Sequence, residues 1–139
     1  MSFFTVQSIV YEGEVVPERA IGNMMQTMDI KPINFRRQGK DELYVSFQVD
    51  FSKFENQRPQ FSFRVTSTYL LMKFDWNNLN QEMNIIQYLV LRSFSNMEAI
   101  LHSKFQDLNS RIFIPGDPDY KPYISAARDA LLSISKNLN

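Results

Sequence analysis

The run LYVSFQVDF (residues 43–51), followed across a polar pentapeptide by FSFRVTSTYLLMKFDW (residues 61–76), decides the fold class. Its first part alternates strictly. Leu43, Val45, Phe47, Val49 and Phe51 share one face, and Tyr44, Ser46, Gln48 and Asp50 share the other. Successive side chains of a strand point to opposite faces, so this period of two predicts a half-buried β-strand. The second part begins in one phase (Phe61, Phe63, Val65) and ends in the other (Leu70, Met72, Phe74, Trp76). The change falls at Thr66-Ser67-Thr68. A β-bulge there would return both halves to one side, because a one-residue slip inverts the facing. The alternative is a single long strand whose halves cover different partners. The short turn from Glu55 to Pro59 predicts an antiparallel hairpin, since parallel strands need long crossovers.

Upstream, Phe3 to Val15 is rich in β-branched and aromatic residues and reads as a first strand, although its alternation is impure. Val16 to Met28 breaks the pattern with Pro17 and Gly22, and Ile21, Met24, Met25 and Met28 fall at helix-like spacing. This segment reads as a crossing connection with one helical turn. Ile30 to Arg37 is the next strand, and Pro32 within it cannot donate to a ladder, which predicts an edge. Gln38-Gly39-Lys40-Asp41 makes the turn into Leu43.

Downstream the period changes. Asn78 with Gln81 three residues on forms a candidate capping box, with Asn80 as the rival cap. Ile86, Val90, Phe94, Met97, Leu101, Phe105 and Leu108 then mark a long helix with one apolar stripe. Ile85, Tyr88, Leu89 and Leu91 make its first half apolar nearly all round, so it needs cover on two sides. A Pro-containing loop over 111–123 carries Phe113 and Ile114, and a last helix runs from about Asp119 or Lys121 to Lys136. Its stripe of Ile124, Ala127, Leu131, Ile134 and Leu138 is of the kind that packs along another helix. The expected architecture is α+β: a four-stranded antiparallel sheet, a long helix and a second C-terminal helix, in one domain over residues 1–139.

Composition excludes several function classes. Fifteen Lys+Arg balance fifteen Asp+Glu, and no basic stripe stands out, which argues against a nucleic-acid partner. With no cysteine, disulfides, thiol catalysis and Cys-ligated zinc are out. No run approaches the ~20 apolar residues of a membrane helix, and the N-terminus lacks the basic start of a signal peptide, so a cytoplasmic protein is expected. His102 is the only histidine and lacks a second ligand or a paired nucleophile, so a helix-flank role is expected for it. Asp117-Pro118-Asp119 before a helix reads as a cap, not a metal pair. Four glycines build no phosphate loop, and no hydrolase elbow or zinc-protease helix occurs. No catalytic residue, cofactor or metal is expected.

The residues Phe61 to Phe74, with apolar alternation, a polar middle and an apolar ending, resemble the fourth strand of the SecB-like family of bacterial export chaperones. Asn84-Ile85-Ile86 running into Tyr88 and Arg92 resembles the opening of that family's long helix, and the segment from Val16 to Met28 falls at its crossover between strands one and two. The resemblance covers roughly residues 3 to 135. It departs from the family in lacking a proline in the helix opening, in having Phe113-Ile114-Pro115-Gly116 between the helices, and in having no acidic excess. The resemblance implies a non-catalytic, cytoplasmic chaperone that holds unfolded or extended polypeptide, in export or beside a toxin–antitoxin pair. The two-sided apolar first half of the long helix, with Ile85, Tyr88, Leu89 and Leu91, predicts a homo-oligomer, dimer or tetramer, joined partly through that helix, and no nucleic-acid or membrane partner is expected. The resemblance also implies a substrate groove between crossover, sheet and final helix, where this chain has Ile21, Met24, Met25, Met28, Phe113, Ile114 and Tyr123. Methionine repacks around different side chains, which suits loosely specified clients. The alternative expectation is an assembly subunit that pairs with one fixed protein partner.

Overall fold

A computed structural model describes residues 2–15, 25–55, 58–104 and 120–136. Four strands, β1 (Phe3–Val15), β2 (Met25–Gln38), β3 (Glu42–Glu55) and β4 (Arg58–Met72), precede two helices, α1 (Leu79–Lys104) and α2 (Lys121–Lys136). All strand pairs are antiparallel, and the order across the sheet is β1-β4-β3-β2. The fold is therefore α+β, a four-stranded antiparallel sheet followed by two helices. Both hairpins lie where turn residues place them, and Gly39 takes φ 70° in the first. Left-handed backbone is the conformation that glycine adopts without a Cβ penalty.

One face of the sheet is dry. Leu43, Val45, Phe47, Val49 and Phe51 of β3 and Phe63, Val65, Tyr69 and Leu71 of β4 are buried under the helices. Along α1, Ile86, Leu89, Val90, Phe94, Met97 and Leu101 face them, and Ala127 and Leu131 of α2 close the core. The α2 stripe packs chiefly along β2 and touches α1 as well, so its partner is mainly a strand. Pro32 sits in β2, an edge strand, as its missing N–H requires.

The bulge lies elsewhere than at Thr66–Thr68. The β3–β4 register runs without a shift from Leu43↔Leu71 to Lys53↔Phe61, so β4 keeps one phase from Phe61 to Leu71; it shifts only beyond that, between Lys53 and Phe54, where Gln60 is the extra residue. Ser67 holds that phase as a buried polar residue, which hides the alternation from a hydrophobicity pattern. The register shifts instead in β1, where Val6 pairs with Tyr69 and Ser8 with Thr68, leaving Gln7 as the extra residue. A bulge at Gln7 inverts the facing. That is why β1 alternates impurely: Phe4 and Val6 share the helix side with Ile9 and Tyr11. A second shift in β2, between Ile33 and Arg36, brackets Asn34 at φ 53°.

Two boundaries also move. Met25 and Met28 belong to β2, opposite Phe54 and Phe51, and not to a helical turn. Backbone pairing along the overlong β3 overrides their helix-like spacing, because each residue added to the ladder satisfies main-chain donors and acceptors. β4 ends at Met72, and Lys73 turns the chain at φ 57°. Phe74 and Trp76 lie in the connection, rings 4.8 Å apart, with the Phe74 N–H donating to the Asp41 carbonyl at 2.7 Å. Asn78 caps α1: its carbonyl accepts from the N–H groups of Gln81 and Glu82, and its side-chain amide bonds that of Gln81. Asn80, the rival cap, accepts instead from Arg128 of α2 at 3.2 Å.

Candidate polypeptide-binding surface

The two faces of the sheet offer different chemistry. On the solvent face, away from the helices, Arg64 of β4 reaches Asp50 of β3 at 2.6 Å and Glu12 of β1 at 3.4 Å. Gln48 adds a hydrogen bond to Asp50 at 3.0 Å, and Ser46 and Thr68 bond one another at 2.8 Å. The hydrogen bond and charge of Asp50 hold the Arg64 pKa above its ordinary value, with Glu12 adding to the effect. These cross-strand pairs cover β3 and β4 with a hydrophilic lattice. An apolar chain segment gains little there.

Among the described residues the helix side leaves apolar surface open in several places, of which two bear on binding. The first is the shelf along β1, where Val6, Ile9 and Tyr11 stand on the helix side but reach solvent, because α1 runs over β3 and β4. Phe4 anchors the shelf, with its ring 5.9 Å from Tyr69, 5.7 Å from Tyr88 and capped by Arg92 at 5.5 Å. The second is a hollow of about 300 Å³ between the first turns of the two helices. Met83 and Ile124 make its apolar floor, Gln87 and Ser125 its walls, and Lys121 and Arg128 its basic rim. Concave apolar floors with a few placed polar groups are the common form of binding sites.

Of the residues expected to form a groove, Tyr123 is half-buried on α2 with its ring 5.8 Å from Phe94, and it does not line this hollow. Met25 and Met28 stand at the start of β2. Ile21, Met24, Phe113 and Ile114 lie outside the described residues, as do Asp117-Pro118-Asp119. The structure thus leaves the grouping of the seven open. Met83, Gln87 and Ile124 escaped the sequence-level reading, because on a helix wheel they belong to the core stripe or the polar flank. Only the crossing of α1 and α2 brings them together.

Among the described residues no three His, Cys, Asp or Glu side chains come together as a metal site. Glu82, in the first turn of α1, is buried beside Ser2 and Ile85 with one carboxylate oxygen unpaired. Its charge sits at the positive end of the helix dipole, which offsets part of the burial cost. No helix among the described residues is long and apolar enough to cross a membrane. Compared with known proteins, the chain matches no family model and no curated protein sequence.

Proposed function

We propose that this protein holds non-native or extended polypeptide, without catalysis and without a cofactor, in the manner of the SecB-like chaperones it resembles. The observation that supports this reading is the hollow between α1 and α2, with its methionine and isoleucine floor and its basic rim. A thioether floor accepts side chains of different shape, and Lys121 and Arg128 favour segments that carry acidic or C-terminal carboxylates. Tyr123 and the methionines at the start of β2 belong to the expected client groove in this reading. The protein works in this proposal as a cytoplasmic homo-oligomer, with export or a toxin–antitoxin pair as the setting.

Suppression of aggregation of a chemically unfolded client by the purified protein tests the proposal. Ile124→Asp and Met24→Asp should each weaken protection while the circular dichroism spectrum stays unchanged. Absence of binding to any unfolded chain, together with one native partner at fixed stoichiometry, would support the assembly-subunit reading instead.

A further inference from the structure

We propose that a polar hollow on the solvent face of the sheet, away from the helices, binds a carboxylate in the fork of Arg36. The hollow measures about 520 Å³ and is lined by Asn34, Phe35, Arg36, Tyr44, Ser46 and Thr68. Along β3, Ser46 stands between the longer Tyr44 and Gln48, with Ile33 and Thr68 as its cross-strand neighbours. Its short side chain makes the dip, and the taller neighbours leave it only 4% exposed. The bulge in β2 builds the rim. Asn34 and Phe35 together oppose Val45, between the pairs Ile33↔Ser46 and Arg36↔Tyr44. In a regular strand Ile33 and Arg36 would point to opposite faces. The extra residue puts both on the solvent face and turns Phe35 inward, its ring 5.5 Å from that of buried Phe47. Asn34 takes up the change at φ 53°, a conformation that asparagine tolerates better than most residues.

The donors select the ligand. Among the described residues, Arg37, Arg64, Arg92 and Arg128 each donate a hydrogen bond. Arg36 has neither a hydrogen bond nor an ion pair among them, and its guanidinium lies over the Tyr44 ring, 5.1 Å from the centroid. Stacking orients the guanidinium plane and leaves its edge N–H groups for a bidentate contact with a carboxylate. The hydroxyls of Ser46 and Thr68 share one bond of 2.8 Å, which uses one of their two protons. The second proton and the Asn34 amide are further donors to an incoming oxygen. Asp50, on the same face, is already engaged by Arg64 and Gln48. One fixed positive charge among neutral donors matches the single charge of a carboxylate, whereas a phosphate group brings nearly two. The remaining volume takes the body that carries the carboxylate, either a small organic acid or an acidic residue of a polypeptide. This site lies across the sheet from the hollow between α1 and α2 and does not depend on the holding activity proposed above.

Titration of isotope-labelled protein with N-acetylglycine, followed by amide chemical shifts, tests the site. Saturable shifts should appear at residues 34–36, 44–46 and 68 with low-millimolar affinity, and N-acetylglycinamide should give none. Arg36→Gln should weaken binding of the acid roughly tenfold or more, and Ser46→Ala a few-fold, each with the dispersed spectrum of the folded chain retained. Arg64→Gln, on the same face but paired with Asp50 and Glu12 in the unmodified chain, should leave the titration unchanged. Absence of saturable shifts would overturn the proposal. So would inorganic phosphate binding as tightly as the acid, or Arg64→Gln weakening the acid as much as Arg36→Gln does. A glutamate tripeptide capped at both ends that binds more tightly than N-acetylglycine supports a polypeptide source for the carboxylate, and weaker binding supports a small organic acid. No readout uses an unfolded client, so failure of the holding activity and failure of this site are distinguishable.

Discussion

The hydroxyl of Tyr69 on β4 lies 3.0 Å from the hydroxyl of Ser93 on α1, inside a largely apolar core. Ser93 donates to the Leu89 carbonyl at 2.8 Å, so the Tyr69 proton points at Ser93. Asn96 donates from its amide to Tyr69 at 3.2 Å and to Ser67 at 3.1 Å. The result is a directed chain, from Asn96 through Tyr69 and Ser93 to a helix carbonyl, that fixes how α1 sits on β4. Buried polar groups are costly unless paired, so this chain specifies one register of helix on strand.

Removing one member leaves the others unpaired. Ser93→Ala is expected to cost ~1–3 kcal/mol, because it strands the buried Tyr69 O–H, and Tyr69→Phe about as much. The two together should cost less than their sum, with a coupling of ~1 kcal/mol, because both delete the same bond. Urea titrations of the two single variants and the double variant check this. Additive losses would show that the bond orients nothing.

Phe47 is buried at the centre of β3, with its ring 5.5 Å from Phe35 and 6.5 Å from Tyr69. Phe47→Ala opens a cavity that strands on both sides cannot fill, with an expected loss of ~3–5 kcal/mol. Chemical denaturation gives the number. A loss below ~1 kcal/mol would be typical of a surface site and incompatible with this packing.

Gly13 lies opposite Phe63, and a Cβ placed on it would come within 2.5 Å of the Ser62 carbonyl oxygen and 2.6 Å of the Phe63 ring. Glycine is required here by the close approach of β4. Gly13→Ala should destabilise by ~1–3 kcal/mol, the range for forced overpacking, or free the end of β1 from the sheet. Hydrogen exchange distinguishes these: amides of β1 near residues 12–15 should exchange faster, and those of β3 should not unless the whole domain is weakened.

Arg64 bridges three strands through Asp50 and Glu12, yet it is exposed. Solvent screens such pairs, so Arg64→Ala is expected to cost only ~0–1 kcal/mol, and less in high salt. Thermal melts at low and high ionic strength test this. A loss several times larger, insensitive to salt, would mean that the guanidinium stem carries packing instead of charge.

Strand count, antiparallel pairing and both helices are readable from local chemistry. Strict alternation in β3, Pro32 in an edge strand, Gly39 in a turn and the Asn78 cap each act through their own neighbours in sequence. The same locality explains the misses. Ser67 interrupts the apolar phase of β4 only on paper, since its partner Asn96 is 29 residues away. Met25 and Met28 keep helical spacing but pair with β3. Of the apolar residues crowding the first half of α1, Leu89 is buried and Ile85 half-buried, and only Tyr88 and Leu91 remain exposed.

By itself, the sequence determined the number and order of strands and helices, though not the start of β2 at Met25, and which face of β3 is dry, because period and capping are properties of a few consecutive residues. The tertiary structure alone decided that β1 pairs with β4 and bulges at Gln7, that Met83 and Ile124 meet across α1 and α2, and which residues of α1 stay exposed. Those relationships join residues that are far apart in the chain or depend on which side of an element is covered. Burial is set by what packs against a side chain, and no local pattern records it.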